Sequence, residues 1–204
     1  MGPERPLTVV LGPITAGAVL IETARRSRSH AVGSGEERAF RCCNGVSDRL
    51  HLPAWVVMQS GSLGAVLVAS GALAVRRRPC AAVVAATVGT AVWLGAKVVK
   101  PLVGRGRPAD HLRGVVVRGQ PQSGLGYPSG HAAVALTLAM IAPRSRGSVV
   151  RALAVALAAV TGGARMYVGA HLPLDVAGGM AVGVLAGSVG AVLVDRCPLE
   201  GRRR

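Results

Sequence analysis

Long apolar runs, broken by short arginine-rich turns, organise this chain. Ala54–Val75 is one run, closed by Arg76-Arg77-Arg78-Pro79, and Cys80–Val99 is a second. His131–Ala142 is a shorter third, ending at Pro143-Arg144-Ser145-Arg146. Val149–Thr161 follows and can extend through Val168, and Val176–Val194 is the last, closed by Asp195-Arg196. About 20 consecutive apolar residues cross a bilayer, so the pattern predicts five membrane spans. Leu7–Ala24 is a weaker sixth candidate, interrupted by Pro13 and Glu22. It lacks the short apolar core and cleavage site of a signal peptide. The stretch 25–53 is polar and reads as a loop, in which Glu36–Val46 can form a helix on the membrane surface. The runs are too long and too Ala-rich for strands, and no internal repeat is present. The expected fold is all-α, a polytopic transmembrane helical bundle. It divides into an N-terminal region (1–53), a membrane core (54–195) and a basic tail (196–204).

Composition strengthens this reading. Half of the residues are hydrophobic, yet only 2% are aromatic. A soluble core of this size would use more ring volume, whereas Gly and Ala let membrane helices approach closely. The net charge is +15, and the only lysines are Lys97 and Lys100. A basic chain invites a nucleic-acid partner. Here the cations lie between apolar runs and there are few rings for base stacking, so no nucleic acid is expected. Anionic membrane lipid headgroups and phosphorylated substrates are the expected partners, and a homo-oligomer is left open. The four cysteines show no paired metal-ligand spacing and read as small apolar residues. No metal and no cofactor are expected. The turns at 76–79 and 143–148 lie with the Arg202-Arg203-Arg204 tail on one side, and short basic loops favour the cytoplasm. The opposite loops are basic too, so a raw count does not decide the orientation. Weighting the short turns puts the chemistry on the extracytoplasmic face of the cell membrane.

Three clusters at the ends of apolar runs carry that chemistry, and the hairpin topology collects them on one side. In the first, Lys100 and Arg107 stand seven residues apart, with Gly104, Gly106 and Pro108 shaping the turn. Lys offers a point charge and Arg a planar fork, and both suit phosphate oxygens. The plain alternative is a pair of snorkelling cations. In the second, Pro128-Ser129-Gly130-His131 opens a helical run. The N–H groups of Ser129 and Gly130 there can make an anion site, with His131 in the first turn as a proton donor. The alternative is an N-cap beside a boundary His. In the third, Arg165 precedes His171 and Asp175, which are four residues apart and can share a face. An Asp that accepts from one imidazole nitrogen leaves the other free as a nucleophile.

Taken together, the clusters resemble the type 2 phosphatidic acid phosphatase superfamily, the lipid phosphate phosphatases. That family's pattern is Lys, six residues, Arg-Pro; then Pro-Ser-Gly-His; then Ser-Arg, five residues, His, three residues, Asp. Lys100–Pro108, Pro128–His131 and Arg165–Asp175 match in order and spacing, except that Ala164 stands where the family has Ser. The resemblance implies roles. His171 attacks phosphorus, Asp175 orients it, and His131 protonates the leaving oxygen. Lys100, Arg107 and Arg165 hold the phosphoryl oxygens with Ser129 and Gly130. It implies metal-independent hydrolysis of a lipid phosphate or diphosphate: undecaprenyl diphosphate, phosphatidylglycerol phosphate or phosphatidate. Arg105, Arg113 and Arg118 are candidates for a second phosphate, with a solvated basic loop as the plain reading. The rivals are a phosphotransferase of the same superfamily and a non-catalytic lipid-binding membrane protein.

Overall fold

A computed structural model of the chain describes residues 8–29, 31–142 and 147–197. Among these residues the structure is helical, with no strand. Helices α1 (Thr8–Arg28), α2 (Ser34–Asn44), α3 (His51–Met58) and α4 (Leu63–Val75) precede the long α5 (Pro79–Val103). A single turn, α6 (Pro108–His111), then leads through an irregular loop to α7 (Gly130–Ile141), α8 (Gly147–Tyr167) and α9 (Pro173–Asp195). The turn 143–146 and the tail beyond 197, both used in the orientation argument, lie outside the described residues.

Three helices are long and apolar enough to span a membrane: α5, α8 and α9. Only 28–33% of the residues in their apolar stretches are buried inside the protein. Side chains such as Val83, Val98, Leu102, Leu153 and Val189 face outward. An apolar exterior of this extent needs lipid around it.

The expected span 54–75 is not one straight helix. It breaks at the 3-10 turn Gln59–Gly61, where α3 and α4 bend by 63° and together can count as a fourth span. The run at 131–142 forms a helix of 12 residues. At 1.5 Å per residue that is about 18 Å, well short of the hydrocarbon thickness. Among the described residues, length and composition support three of the expected spans, or four if the bent pair counts as one. The polar stretch 25–53 is also not a loop. It contains the end of α1, all of α2 and the start of α3.

Small residues let the helices close on one another. In α9, Gly179, Gly183, Gly187 and Gly190 line up against α7, and a Cβ at Gly183 would lie 2.8 Å from the Ala133 carbonyl oxygen. α7 and α9 form the largest helix pair, and α1 packs on α9 from the other side. Cys80, at the start of α5, and Cys197, just beyond α9, are joined in a disulfide with Cα atoms 6.3 Å apart. Reading these two cysteines as small apolar residues missed this link.

Candidate active site

The C-terminal end of α5, the N-terminal ends of α7 and α9, and the end of α8 meet at one end of the bundle. This placement brings Lys100, Arg107, His131, Arg165, His171 and Asp175 together, as the hairpin argument requires. His131 is within electrostatic range of Arg165, His171, Lys100 and Arg107. His171 in turn faces Arg165, Lys100 and Arg107.

His171 sits in the tight link between α8 and α9 and is 3% exposed. Its Nδ1 lies 3.6 Å from Asp175 Oδ2, and Nδ1 has no hydrogen-bond partner among the described residues. Burial, then the cations Arg165, Lys100 and Arg107, hold the imidazole pKa well below its usual value. The Gly126 backbone pulls weakly the other way. This shift favours the neutral imidazole, the form in which a ring nitrogen is free to act as a nucleophile.

Asp175 is fully buried. Its Oδ2 also accepts from Leu172 N–H at 2.8 Å, and Oδ1 accepts from Arg105 Nη1 at 3.3 Å. Gly126 passes directly over it: a Cβ there would lie 2.8 Å from Oδ2.

The cations Lys100, Arg107 and Arg165, which also act on His171, meet neutral partners. Lys100 Nζ donates to the carbonyls of Leu125 (2.6 Å) and Gly126 (3.3 Å). Arg107 donates to the carbonyls of Ser123, Gly124 and Ala170. Arg165 has less. It is 4% exposed, its Nη1 touches only Met58 Sδ at 3.5 Å, and its Nε has no partner. A guanidinium offers five N–H donors, and leaving one buried without an acceptor is costly. A cavity of about 490 Å³ opens beside Arg165 and His131, walled by His51, Trp55 and Gln59 and by loop residues Gln120 and Gln122.

Two expectations change here. The Ser129 N–H donates to the Asp175 carbonyl oxygen at 2.9 Å, so it is not free for a phosphate. The Ser129 hydroxyl is buried without a partner instead, which leaves the side chain as the available group. Of the loop arginines taken as candidates for a second phosphate, two already have partners. Arg105 is fully buried between Glu36 and Asp175. Arg118 lies over the Tyr167 ring and donates to the carbonyls of Asn44, Val46 and Tyr167 and to Asp48. Only Arg113 of the three stays exposed.

Sequence reasoning passed over Glu36, Met58 and Gly61. Glu36, Phe40 and Asn44 form the inner face of α2, and their spacing of four was the available signal. Gly61 seats the bend between α3 and α4 on His131: a Cβ there would lie 2.7 Å from the His131 Cα. Ala164 packs with Met58, Tyr167, Val168 and Ala170, in an apolar cluster beneath Arg165.

The fold and site define a membrane protein with a cationic, histidine-bearing pocket at one end of a helical bundle. The PAP2 superfamily model matches residues 78–197, and the chain belongs to that superfamily. Two solved structures share the fold. The first transmembrane PAP2-type phosphatidylglycerolphosphate phosphatase from Bacillus subtilis is 20% identical, with a TM-score of 0.76 over 94% of this chain and 98% of that one. LpxE of Aquifex aeolicus is 24% identical, with a TM-score of 0.64 over 74% of this chain and 91% of that one. Comparison with curated proteins gives no match by sequence.

Proposed function

We propose that this chain is an integral membrane phosphatase that removes phosphate from a lipid phosphate or diphosphate through a phosphohistidine on His171. The observation that carries this reading is Arg165, a buried guanidinium that meets only a sulfur acceptor among the described residues, on a cavity that His131 also lines. An incoming phosphoryl group supplies the missing oxygens. Phosphoryl transfer depends mostly on positioning and on spreading negative charge over fixed cations. Lys100, Arg107 and Arg165 provide that charge, and the Ser129 hydroxyl adds a donor.

Chemically, the ring nitrogen of His171 remote from Asp175 attacks phosphorus. A P–N bond forms as the P–O bond to the lipid breaks. His131, protonated when the phosphate dianion is bound, gives its proton to the leaving alkoxide. Water then attacks the phosphohistidine and passes a proton to His131, the P–N bond breaks and phosphate leaves. Among the described residues no group of three or more His, Cys, Asp or Glu is placed to hold a metal ion.

The substrate panel is phosphatidate, phosphatidylglycerol phosphate and undecaprenyl diphosphate. Arg105 is buried away from the cavity, whereas Arg118 lines it beside Arg165 and His131, so turnover of monophosphate against diphosphate lipids decides whether a second phosphate is held there. The proposed active-site face is extracytoplasmic, because the Arg76–Arg78 turn lies at the far end of α5 from Lys100. The Cys80–Cys197 disulfide on that far side pulls the other way, since disulfides belong to oxidising compartments. Labelling these cysteines in intact cells with a membrane-impermeant maleimide after reduction decides the orientation. Labelling without permeabilisation overturns the assigned face.

Phosphate release by detergent-purified protein across the panel, with a chelator present, tests the function. An acid-labile, base-stable phosphoryl label on wild type that is absent from His171→Ala is the expected signature. Near-normal turnover by His171→Ala overturns the nucleophile, and strict dependence on an added divalent ion overturns the metal-free scheme.

A further inference from the structure

We propose that Glu36, on the N-terminal helix α2 outside the matched family region, is a positioning residue that supplies the net negative charge behind the nucleophile. This rests on the reading of His171 as that nucleophile. The argument is a count of buried charges. Asp175 stands behind His171, and on its own it would favour the positive charge that develops on the imidazole during attack. Arg105 is in direct contact with it, and its side chain is fully buried, as is that of Asp175. A carboxylate neutralised by a guanidinium presents almost no net charge to the ring beyond it. Glu36 restores the balance. Its side chain is 9% exposed and takes Arg105 in a two-point fork, Nη1 to Oε1 at 3.0 Å and Nη2 to Oε2 at 2.7 Å. The triad Glu36–Arg105–Asp175 therefore carries one negative charge, and it faces a ring whose other neighbours are the cations Lys100, Arg107 and Arg165.

Glu36 has a second tie. Its Oε1 accepts the Leu174 N–H at 3.0 Å, at the start of the helix that carries Asp175. Phe40 and Asn44, four and eight residues on, are buried on the same face and hold α2 in place. Asn44 donates to the carbonyls of Val116 and Tyr167.

A purely mechanical tie and a charge source predict different results. Glu36→Gln keeps the shape and, through its amide oxygen, the bonds that Oε1 accepts from Arg105 Nη1 and Leu174 N–H, but it removes the charge and the second arm of the fork, and Glu36→Asp and the double variant below separate those two losses. The charge account expects kcat to fall about 10- to 100-fold with KM within about twofold, because the cations that hold substrate are untouched. It also expects the acid limb of kcat/KM to move to lower pH, since the imidazolium of His171 loses support. The groups facing His171 that share in that limb are Asp175, His131, Lys100, Arg107 and Arg165. Glu36→Asp, which keeps the charge, should recover much of the rate. Glu36→Gln combined with Arg105→Met returns the cluster to a single negative charge and should turn over faster than Glu36→Gln alone. All variants are compared at matched monodispersity and thermal midpoint in the same detergent. A Glu36→Gln protein with kcat within twofold of wild type overturns the inference. So does a double variant slower than the single one, which is what a mechanical tie predicts. An active His171→Ala protein would sink the nucleophile and this inference together. An inactive His171→Ala beside an unimpaired Glu36→Gln would sink this inference alone.

Discussion

Two groups of charges act on His171, and they are built on opposite principles. The back set, Asp175, Arg105 and Glu36, is closed: each charge meets its partner, buried to 9% exposure or less. In the front set, Arg165 is almost as deeply buried but meets only a sulfur atom among the described residues, and Lys100 and Arg107 rest on backbone carbonyls. The first set is complete without a ligand, and the second is not. Breaking a buried pair is costly because it strands a buried charge, and a cation that is already unpaired has little such cost left to incur. The contrast therefore separates a set that holds the fold from a set left open for the proposed substrate.

The strongest test removes the residue between the two. His171→Ala is expected to lower phosphate release by about 10⁴-fold or more while leaving the thermal midpoint in detergent nearly unchanged. A residual rate close to wild type would erase the distinction between front and back. Next come paired substitutions of arginine. Arg165→Met should cut kcat/KM by about 10²- to 10³-fold, the scale for losing one preorganised charge-stabilising group, yet leave stability equal or higher. Arg105→Met should instead destabilise the protein by about 3–5 kcal/mol, because it strands Glu36 and Asp175. Similar stability losses for both would show that the front is not an incomplete site.

A smaller effect concerns pH. The pKa of His171 is held below its usual value, so the neutral, attacking form persists as pH falls through the ordinary histidine range. Removing a nearby cation raises that pKa. In Lys100→Met the acid limb of kcat/KM should move to higher pH than in wild type, measured by phosphate release between about pH 4 and pH 8. A limb that stays in place or moves down would show that the front cations do not act on the ring. The smallest effect is expected at Ala164. The apolar packing around its methyl group leaves a Ser hydroxyl little to gain, so Ala164→Ser should change KM by less than about threefold. A larger gain would show that the hydroxyl reaches the phosphate.

Much of the front was legible in the sequence because it sits at boundaries. Lys100, His131, Arg165 and His171 each mark the end of an apolar run, and hairpin topology alone gathers such ends. The back was not legible. Arg105 looked like one more cation in a basic loop, and Glu36 like an exposed acid on a surface helix. Their pairing joins positions 69 residues apart, and no local pattern reports such a contact. The helical fold was readable from run lengths, as were α5, α8 and α9. The bend was marked by the polar run Gln59-Ser60-Gly61-Ser62, which counting apolar residues over 54–75 absorbed into one span. At the break Ser62 is extended and caps α4, accepting from Ala65 N–H, and Gly61 seats against His131, a contact between segments 70 residues apart.

That seat ties the chemistry to the host bilayer. A span made of two pieces accommodates a change in hydrocarbon thickness by altering its bend, where a straight helix would tilt. The hinge of this bent pair rests on the backbone of His131, proposed above as the general acid, and its α3 arm forms one wall of the cavity. Acyl-chain length in the surrounding lipid should therefore register as a change in turnover, with the helix break acting as a gauge of membrane thickness.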